Sequence, residues 1–345
     1  MTRNRSIRLF SRITVRGLLA ILLTALILMP FQTATAYSET VWNDVREGVH
    51  GGTIGGLTIP ISVNSSETIV TEYVSDLPTV VEVYTATWCV NCITTEHALD
   101  EAIGSTEVSR IHYHRHKFEV EDPFGSNSTE ERWEANYGTA STLIGGISRL
   151  APTTVFDGER LHLGTASKSG NLQEDYSTSL AEGSTHPFSG NSRLSLFLSN
   201  SHDVIHLSYE FSGPGESTRP KMCVEDVDCA PRYSDIDIYA METALTPWLL
   251  FVEESANFSE GSNGVGDYMH VLHKAVQLPV NSFTGSIEIE RPSPWDGDDM
   301  SAVLIYDWSF LTQETNPTDE SVIPAPGLAT LLCFLAALVP RRNSK

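Results

Sequence analysis

The sequence predicts an α/β domain followed by an all-β sandwich domain. From about residue 68, apolar β-type runs alternate with helical spacing, which is typical of a βαβ unit. From about residue 188 the helical period disappears, and short alternating runs separated by turn residues favour a β-sandwich. With 345 residues, 41% of them hydrophobic, the chain can bury the core of one or two domains.

The elements of the α/β domain follow from local signals. The run PTVVEVYTA (78–86) predicts a buried strand, and the apolar residues after it recur at helical spacing until Gly104 ends the helix. The run VSRIHYHRHKF predicts the next strand. A capping signature at Ser128 predicts a polar helix. Two further strands then flank Asp157-Gly158, which is a strong hairpin turn.

The sandwich domain is predicted from six short runs, and the segment before the α/β domain from its glycines. Residues 37–67 are glycine-rich with a short apolar end, which indicates an extended lead-in. The six runs are RLSLFLS, VIHLSYEFS, SDIDIYAMET, PWLLFVEES, TGSIEIERP and SAVLIYDWSF. The predicted boundaries are a signal peptide at 1–36, the lead-in at 37–67, an α/β domain at 68–185, a sandwich at 186–314, a linker at 315–327 and a tail at 328–345.

Both ends of the chain indicate export. Five arginines precede an apolar run from Gly17 to Pro30, and small residues follow at 34–36, the order of a secretory signal peptide. A permanent anchor is the alternative. At the other end, an apolar run from Leu328 to Val339 precedes two arginines and predicts a membrane anchor, with a buried terminal helix as the alternative. The tail resembles those that exosortase-type enzymes process, although it carries Pro-Ala-Pro where Pro-Glu-Pro is usual.

The charge and the motifs that are missing exclude several classes of function. A formal net charge of −22 repels nucleic acid, so no nucleic-acid partner is expected. No hydrolase motif, phosphate loop or dinucleotide fingerprint is present, and no cofactor is predicted. An exported chain reaches an oxidising compartment, where paired cysteines tend to form disulfides.

Cys89 and Cys92 lie three positions apart in the run EVYTATWCVNC. The predicted strand ends just before Cys89, and the predicted helix places Cys92 in its first turn. Backbone N–H groups and the helix dipole at such a junction stabilise a thiolate, while a second cysteine one turn later can resolve a mixed disulfide. The pair is therefore placed for redox chemistry.

Trp88 with the two cysteines resembles the Trp-Cys-x-x-Cys motif of the thioredoxin superfamily. The segment LAPTTVFDG (150–158) resembles the strand of those folds that a cis-proline opens, with Pro152 at the matching position. The resemblance implies a thioredoxin-like α/β domain over about 68–183, Cys89 as the attacking and Cys92 as the resolving cysteine. It also implies a substrate groove shaped by Trp88, Ala151, Pro152 and Thr153.

The whole chain is similar to secreted thioredoxin-fold proteins that carry a C-terminal β-sandwich, some of them described as outer-membrane proteins. The runs VVEVYTATWCVNC, IHYHRHKFEVEDPFG and APTTVFDGE are similar to their landmarks. One departure stands out. Thioredoxins bury an acid six residues before the first cysteine, and here that position is Val83, whereas Glu82 lies one residue away on the other strand face.

Other residue groups leave alternatives open. His112, His114 and His116 alternate along one predicted strand, so copper or zinc delivery together with the cysteine pair is conceivable, although packing histidines explain the pattern better. Cys223 and Cys229 bracket a five-residue acidic loop and favour a structural disulfide.

The sequence therefore predicts an exported thiol-disulfide oxidoreductase or isomerase, tethered by its C-terminal tail. Its partners are expected to be extracytoplasmic protein thiols and disulfides, with the membrane contacted through the tail. The alternative from a different class is a surface-display or adhesion protein, in which the same scaffold carries an inert disulfide. The direction of electron flow, the partner, the role of the sandwich and the oligomeric state stay open.

Overall fold

The computed structural model describes most of the chain between residues 40 and 311. The described ranges are 40–46, 50–61, 67–117, 122–188, 190–200, 204–212 and 242–311. The signal peptide, the C-terminal tail, Cys223 and Cys229 lie outside these ranges, so the predictions made for them stay predictions. From Trp42 onwards, the described residues belong to one compact unit.

The described residues begin with three strands and continue through an α/β segment. The bounds are β1 Asn43–Asp44, β2 Gly51–Pro60, β3 Thr68–Tyr73, β4 Thr79–Thr85, α1 Val90–Ile103, β5 Val108–His114, α2 Asn127–Trp133, α3 Thr139–Gly145, β6 Thr153–Phe156, β7 Arg160–Leu163 and α4 Leu172–Glu182. A single π-helical segment, Glu134–Gly138, joins α2 to α3. The β-rich remainder comprises β8 Arg193–Asn200, β9 Val204–Ser212, β10 Glu242–Asn257, β11 Asp267–Gln277, β12 Thr284–Glu290 and β13 Met300–Leu311.

Nine of these strands form one continuous sheet in the order β1-β7-β6-β4-β5-β11-β10-β13-β2. The pairs β4–β5 and β5–β11 are parallel, and the other neighbours are antiparallel. The junction between the α/β segment and the β-rich segment is the β5–β11 pair, in which His112 lies opposite Val271. The remaining four strands form an antiparallel sheet in the order β12-β9-β8-β3.

Three apolar layers hold the sheets and helices together. The four-stranded sheet packs on β2, β10 and β13 through a core that includes Leu196, Leu207 and Leu304. The face of β4 that carries Val81 and Val83 packs against α1 and α4. The opposite face packs against α2, α3 and the segment between them. Helices therefore cover both faces of the large sheet around β4, where the cysteine pair follows.

The predicted fold class is wrong in its division of the chain. An α/β thioredoxin-like domain followed by a separate β-sandwich would place the two halves in different sheets, whereas β5 and β11 join both halves in one nine-stranded mixed sheet. The segment expected as a lead-in supplies β2, which pairs along its length with β13. In addition, β3 pairs with β8 rather than with β4. Pairings between strands so far apart in the sequence leave no trace in local periodicity. The sequence patterns therefore predicted two separate domains.

Helix α2 also differs from its prediction. The capping box is made by Ser126 and Thr129, two residues earlier than the predicted cap at Ser128. The helix is polar in sequence as predicted, yet its Arg132 and Trp133 are fully buried. The charge of Arg132 is satisfied inside the protein, so a polar sequence here indicates a buried ionic network rather than a solvated surface.

That network connects the two halves of the chain. The guanidinium of Arg132 binds the carboxylate of Glu82 on β4 at 3.2 Å and the carboxylate of Asp307 on β13 at 2.5 Å. The hydroxyls of Tyr113 and Tyr137 donate to Glu82. Burial disfavours the charge of Arg132, but Asp307 and Glu82 outweigh it and hold its pKa well above the usual range.

Candidate functional site

The cysteine pair lies where β4 turns into α1. Strand β4 ends at Thr85, and Cys89 is the N-cap residue of the helix that begins at Val90. The Cys89 Sγ accepts a hydrogen bond from the backbone N–H of Cys92 at 3.2 Å. Cys89 and Cys92 form a disulfide with a Cα–Cα distance of 5.4 Å. After reduction, the same N–H group and the positive end of the helix would stabilise a thiolate on Cys89.

Both cysteines are buried, but not equally. Cys89 is 6% exposed and Cys92 only 1% exposed, so Cys89 is the more accessible to an attacking thiolate. Ala86 is buried with them, and Trp88 and Ala151 pack against the three residues. The Arg115 guanidinium carbon lies 5.7 Å from the centroid of the Trp88 ring. The pair therefore sits in a small apolar cluster with a cation at its border.

The segment expected to flank the cysteines does so. The peptide bond between Ala151 and Pro152 is cis, and Ala151 contacts the cysteine cluster. Pro152 and Thr153 are buried, and the Thr153 hydroxyl donates to the Leu150 carbonyl at 2.6 Å. The structure thus brings Trp88, Ala151 and the cysteines into one cluster, with Pro152 adjoining it in the chain.

The acid missing from the strand is not supplied by Glu82. Val83 faces α1 and packs with Leu99 and Phe156. Glu82 faces the opposite side of the sheet, where its carboxylate is held by Arg132 and two tyrosines. Glu82 is therefore a structural residue on the far side of the sheet from α1.

Glu96 is an acid near the site that sequence analysis missed. It lies one helical turn after Cys92, a spacing that brings two side chains to about 5–6 Å between Cβ atoms. The Thr85 hydroxyl donates to its Oε1 at 2.8 Å. Burial raises the pKa of Glu96, and the Thr85 hydrogen bond and nearby His114 oppose this only in part. The signal that could have found Glu96 is its i+4 spacing from Cys92.

His112 and His114 lie in different surroundings. His114 Nδ1 lies 3.1 Å from Asp122 Oδ2, and its ring packs against Phe124 and Tyr268. The His112 ring packs edge-on against His270, and burial holds the pKa of His112 well below its usual value. Over the described residues, no group of three or more histidine, cysteine and acidic side chains is arranged to hold a metal ion.

Membrane-spanning helices are absent from the same described ranges: none of their helices is both long and apolar enough to cross a bilayer. Cys333 and the predicted anchor lie outside those ranges, as do Cys223 and Cys229.

No protein-family model and no curated protein matches the chain. Among solved structures, HBP35 of Porphyromonas gingivalis is 15% identical with a TM-score of 0.37, and the match covers 73% of this chain and 80% of that one. Protein AGR_C_4864 from Agrobacterium tumefaciens is 12% identical with a TM-score of 0.35, covering 61% of this chain and 78% of that one. Likeness at this level supports no inference about fold or function.

Proposed function

We propose that the protein is an exported thiol-disulfide oxidoreductase or isomerase that acts through Cys89 and Cys92. The observation that carries the proposal is the hydrogen bond from the Cys92 N–H to Cys89 Sγ at the start of a 14-residue helix. In the reduced protein this donor favours the thiolate, which is the reactive form.

The exchange proceeds in two balanced steps. The Cys89 thiolate attacks a substrate disulfide, forms a mixed disulfide and releases one substrate thiolate. Cys92 then loses its proton and attacks Cys89 Sγ, which releases the second substrate thiolate and closes the Cys89–Cys92 bond. Two electrons pass from the protein thiols to the substrate, and the reverse sequence oxidises a substrate dithiol.

Other residues assist these steps. Glu96 is the proton acceptor for the buried Cys92 thiol, because burial raises the pKa of its carboxyl group and it lies one turn along the same helix. Trp88 and Ala151 form the border of the cluster against which a substrate segment would lie. The partners are extracytoplasmic protein thiols and disulfides. Export and membrane attachment through the tail rest on the sequence alone.

The test is disulfide exchange between the reduced full chain and a test protein that carries a disulfide. Cys89→Ser is expected to abolish exchange, and Cys92→Ser to accumulate a mixed disulfide between Cys89 and the substrate. Cys333→Ser removes a thiol outside the pair and serves as the control, with wild-type activity expected. Retention of wild-type activity by Cys89→Ser would show that the pair is not the site and would favour the inert scaffold.

A further inference from the structure

The loop between β10 and β11, residues 258–266, reaches the turn that precedes the first cysteine. The Asn263 backbone N–H donates to the Thr87 carbonyl at 3.1 Å. The Tyr268 hydroxyl approaches the same carbonyl at 3.2 Å and the Asn263 Oδ1 at 2.8 Å. Asn263 and Tyr268 therefore hold the peptide that leads into the Trp-Cys-x-x-Cys segment, although they lie 176 and 181 positions after Thr87 in the sequence.

The contacts extend to the turn itself. The Cys89 N–H donates to the Ala86 carbonyl at 3.0 Å, which defines a turn over residues 86–89. The Asn263 Nδ2 donates to that same carbonyl at 3.4 Å. From the other side, the Asp122 carboxylate accepts the Thr87 N–H at 2.6 Å. The turn is thus held on its carbonyl side by the β10–β11 loop.

Gly261 makes this approach possible. A Cβ atom at this position would lie 2.1 Å from the Tyr268 hydroxyl and 3.1 Å from the Thr87 carbonyl oxygen. Any side chain would push the loop away from the turn. Tyr268 is itself fixed by ring contacts with His114 and Phe124, so the hydroxyl is presented from a rigid position.

We propose that the β10–β11 loop and the start of β11 form a positioning element of the disulfide site, in which Asn263 of the loop and Tyr268 of β11 hold the Ala86–Cys89 turn so that the two sulfurs stay close. The β-rich half would then set the stability of the Cys89–Cys92 bond rather than serve only as a spacer. Holding two reacting groups together raises their effective concentration, so loosening the turn makes the disulfide easier to reduce. The consequence for activity rests on the proposed function.

The experiment measures the equilibrium constant for reduction of the Cys89–Cys92 bond in the full chain. Two molecules of reduced glutathione break the S–S bond, supply two electrons and two protons, and become one molecule of glutathione disulfide. Dithiothreitol replaces glutathione if the bond is more stable. The variants are Asn263→Ala and Tyr268→Phe, and the reduced fraction is read by thiol alkylation and mass spectrometry.

One control lies in the same hairpin and the other in the four-stranded sheet. Asn257→Ala removes a side-chain hydrogen bond to Asp267 in the same hairpin, and Tyr209→Phe removes a hydroxyl that binds Ser282. We expect Asn263→Ala and Tyr268→Phe to raise the reduction constant by about threefold to tenfold, the range of one net hydrogen bond. The controls should stay within about twofold of the wild type.

Two outcomes decide the proposal. If Asn263→Ala and Tyr268→Phe remain as close to the wild type as the controls, the loop does not position the site. If Asn263→Ala fails to fold, Tyr268→Phe decides, because it deletes a single hydroxyl. A raised reduction constant in the two variants supports the positioning role even if the wild type has no exchange activity. This inference and the proposed function can therefore fail separately.

Discussion

Replacement of Arg132 by Met tests whether the two halves of the chain unfold as one unit. The change leaves the carboxylates of Glu82 and Asp307 without their cation, while their side chains are 0% and 9% exposed. Some partners remain: Thr53 and Asn136 bind Asp307 at 2.8 Å and 3.0 Å. Removing one partner of a buried ion pair costs about 3–5 kcal/mol. Because Thr53 and Asn136 remain, we expect the free energy of unfolding to fall by an amount at the lower end of that range.

The assay is urea unfolding at pH 8 and at pH 5. In the wild type, burial raises the pKa of Asp307, but Arg132 outweighs it and lowers the pKa below the usual value. Without Arg132, Arg46 and the Thr53 hydrogen bond still lower that pKa, but burial is the largest effect and raises it, so the folded variant takes up a proton as the pH falls. The destabilisation should therefore be smaller at pH 5 than at pH 8.

The control is Arg110→Met, which breaks the more exposed pair with Asp100 and should cost less than about 1 kcal/mol. Both variants should unfold in a single transition. The network does not join the two halves if Arg132→Met lowers the unfolding free energy as little as Arg110→Met does. Two separate unfolding transitions in the wild type would refute it as well.

Two further predictions concern titratable groups whose pKa is shifted by burial. Glu96→Gln should slow disulfide exchange by about tenfold to a hundredfold at neutral pH, and by less at alkaline pH, where the Cys92 thiol ionises without a proton acceptor. The control is Glu101→Gln, an exposed residue on the same helix. Equal exchange rates for the two variants would exclude Glu96 as the proton acceptor. Burial lowers the pKa of His162 to about 4, so this residue contributes stability above its unfolded value near 6.5 that is lost as the pH falls towards 4. In urea unfolding, the wild type should lose about 3 kcal/mol of unfolding free energy as the pH falls over that range, and His162→Gln should not show this loss. The same pH dependence in both proteins would contradict the role given to His162.

Local signals predicted local structure well. The strand before the cysteines, the helix ending at Gly104 and the hairpin at Asp157-Gly158 all agree with the structure. In each case the decisive interaction spans only a few residues: a helical turn, a residue that permits positive φ, or a two-residue turn. The placement of Cys89 and Cys92 followed from the same short-range reasoning.

Long-range pairing could not be predicted. The parallel contact between β5 and β11 joins His112 to Val271, and no periodicity records such a partner. The glycine-rich segment that forms β2 carries no strand alternation of its own, since its strand character comes from pairing with β13. Asn263 lies in a loop without any motif, and its position beside Thr87 emerges only from the fold. The functional surroundings of the cysteines depend on these contacts more than on the motif itself.

The central claim is that the Cys89–Cys92 bond is a working redox couple. Equilibration of the full chain with glutathione and dithiothreitol buffers of known potential, followed by thiol alkylation, tests it most directly. A midpoint between about −270 and −120 mV, the range of known exchange proteins, is the predicted result. A midpoint below about −300 mV is typical of structural disulfides and would contradict the account.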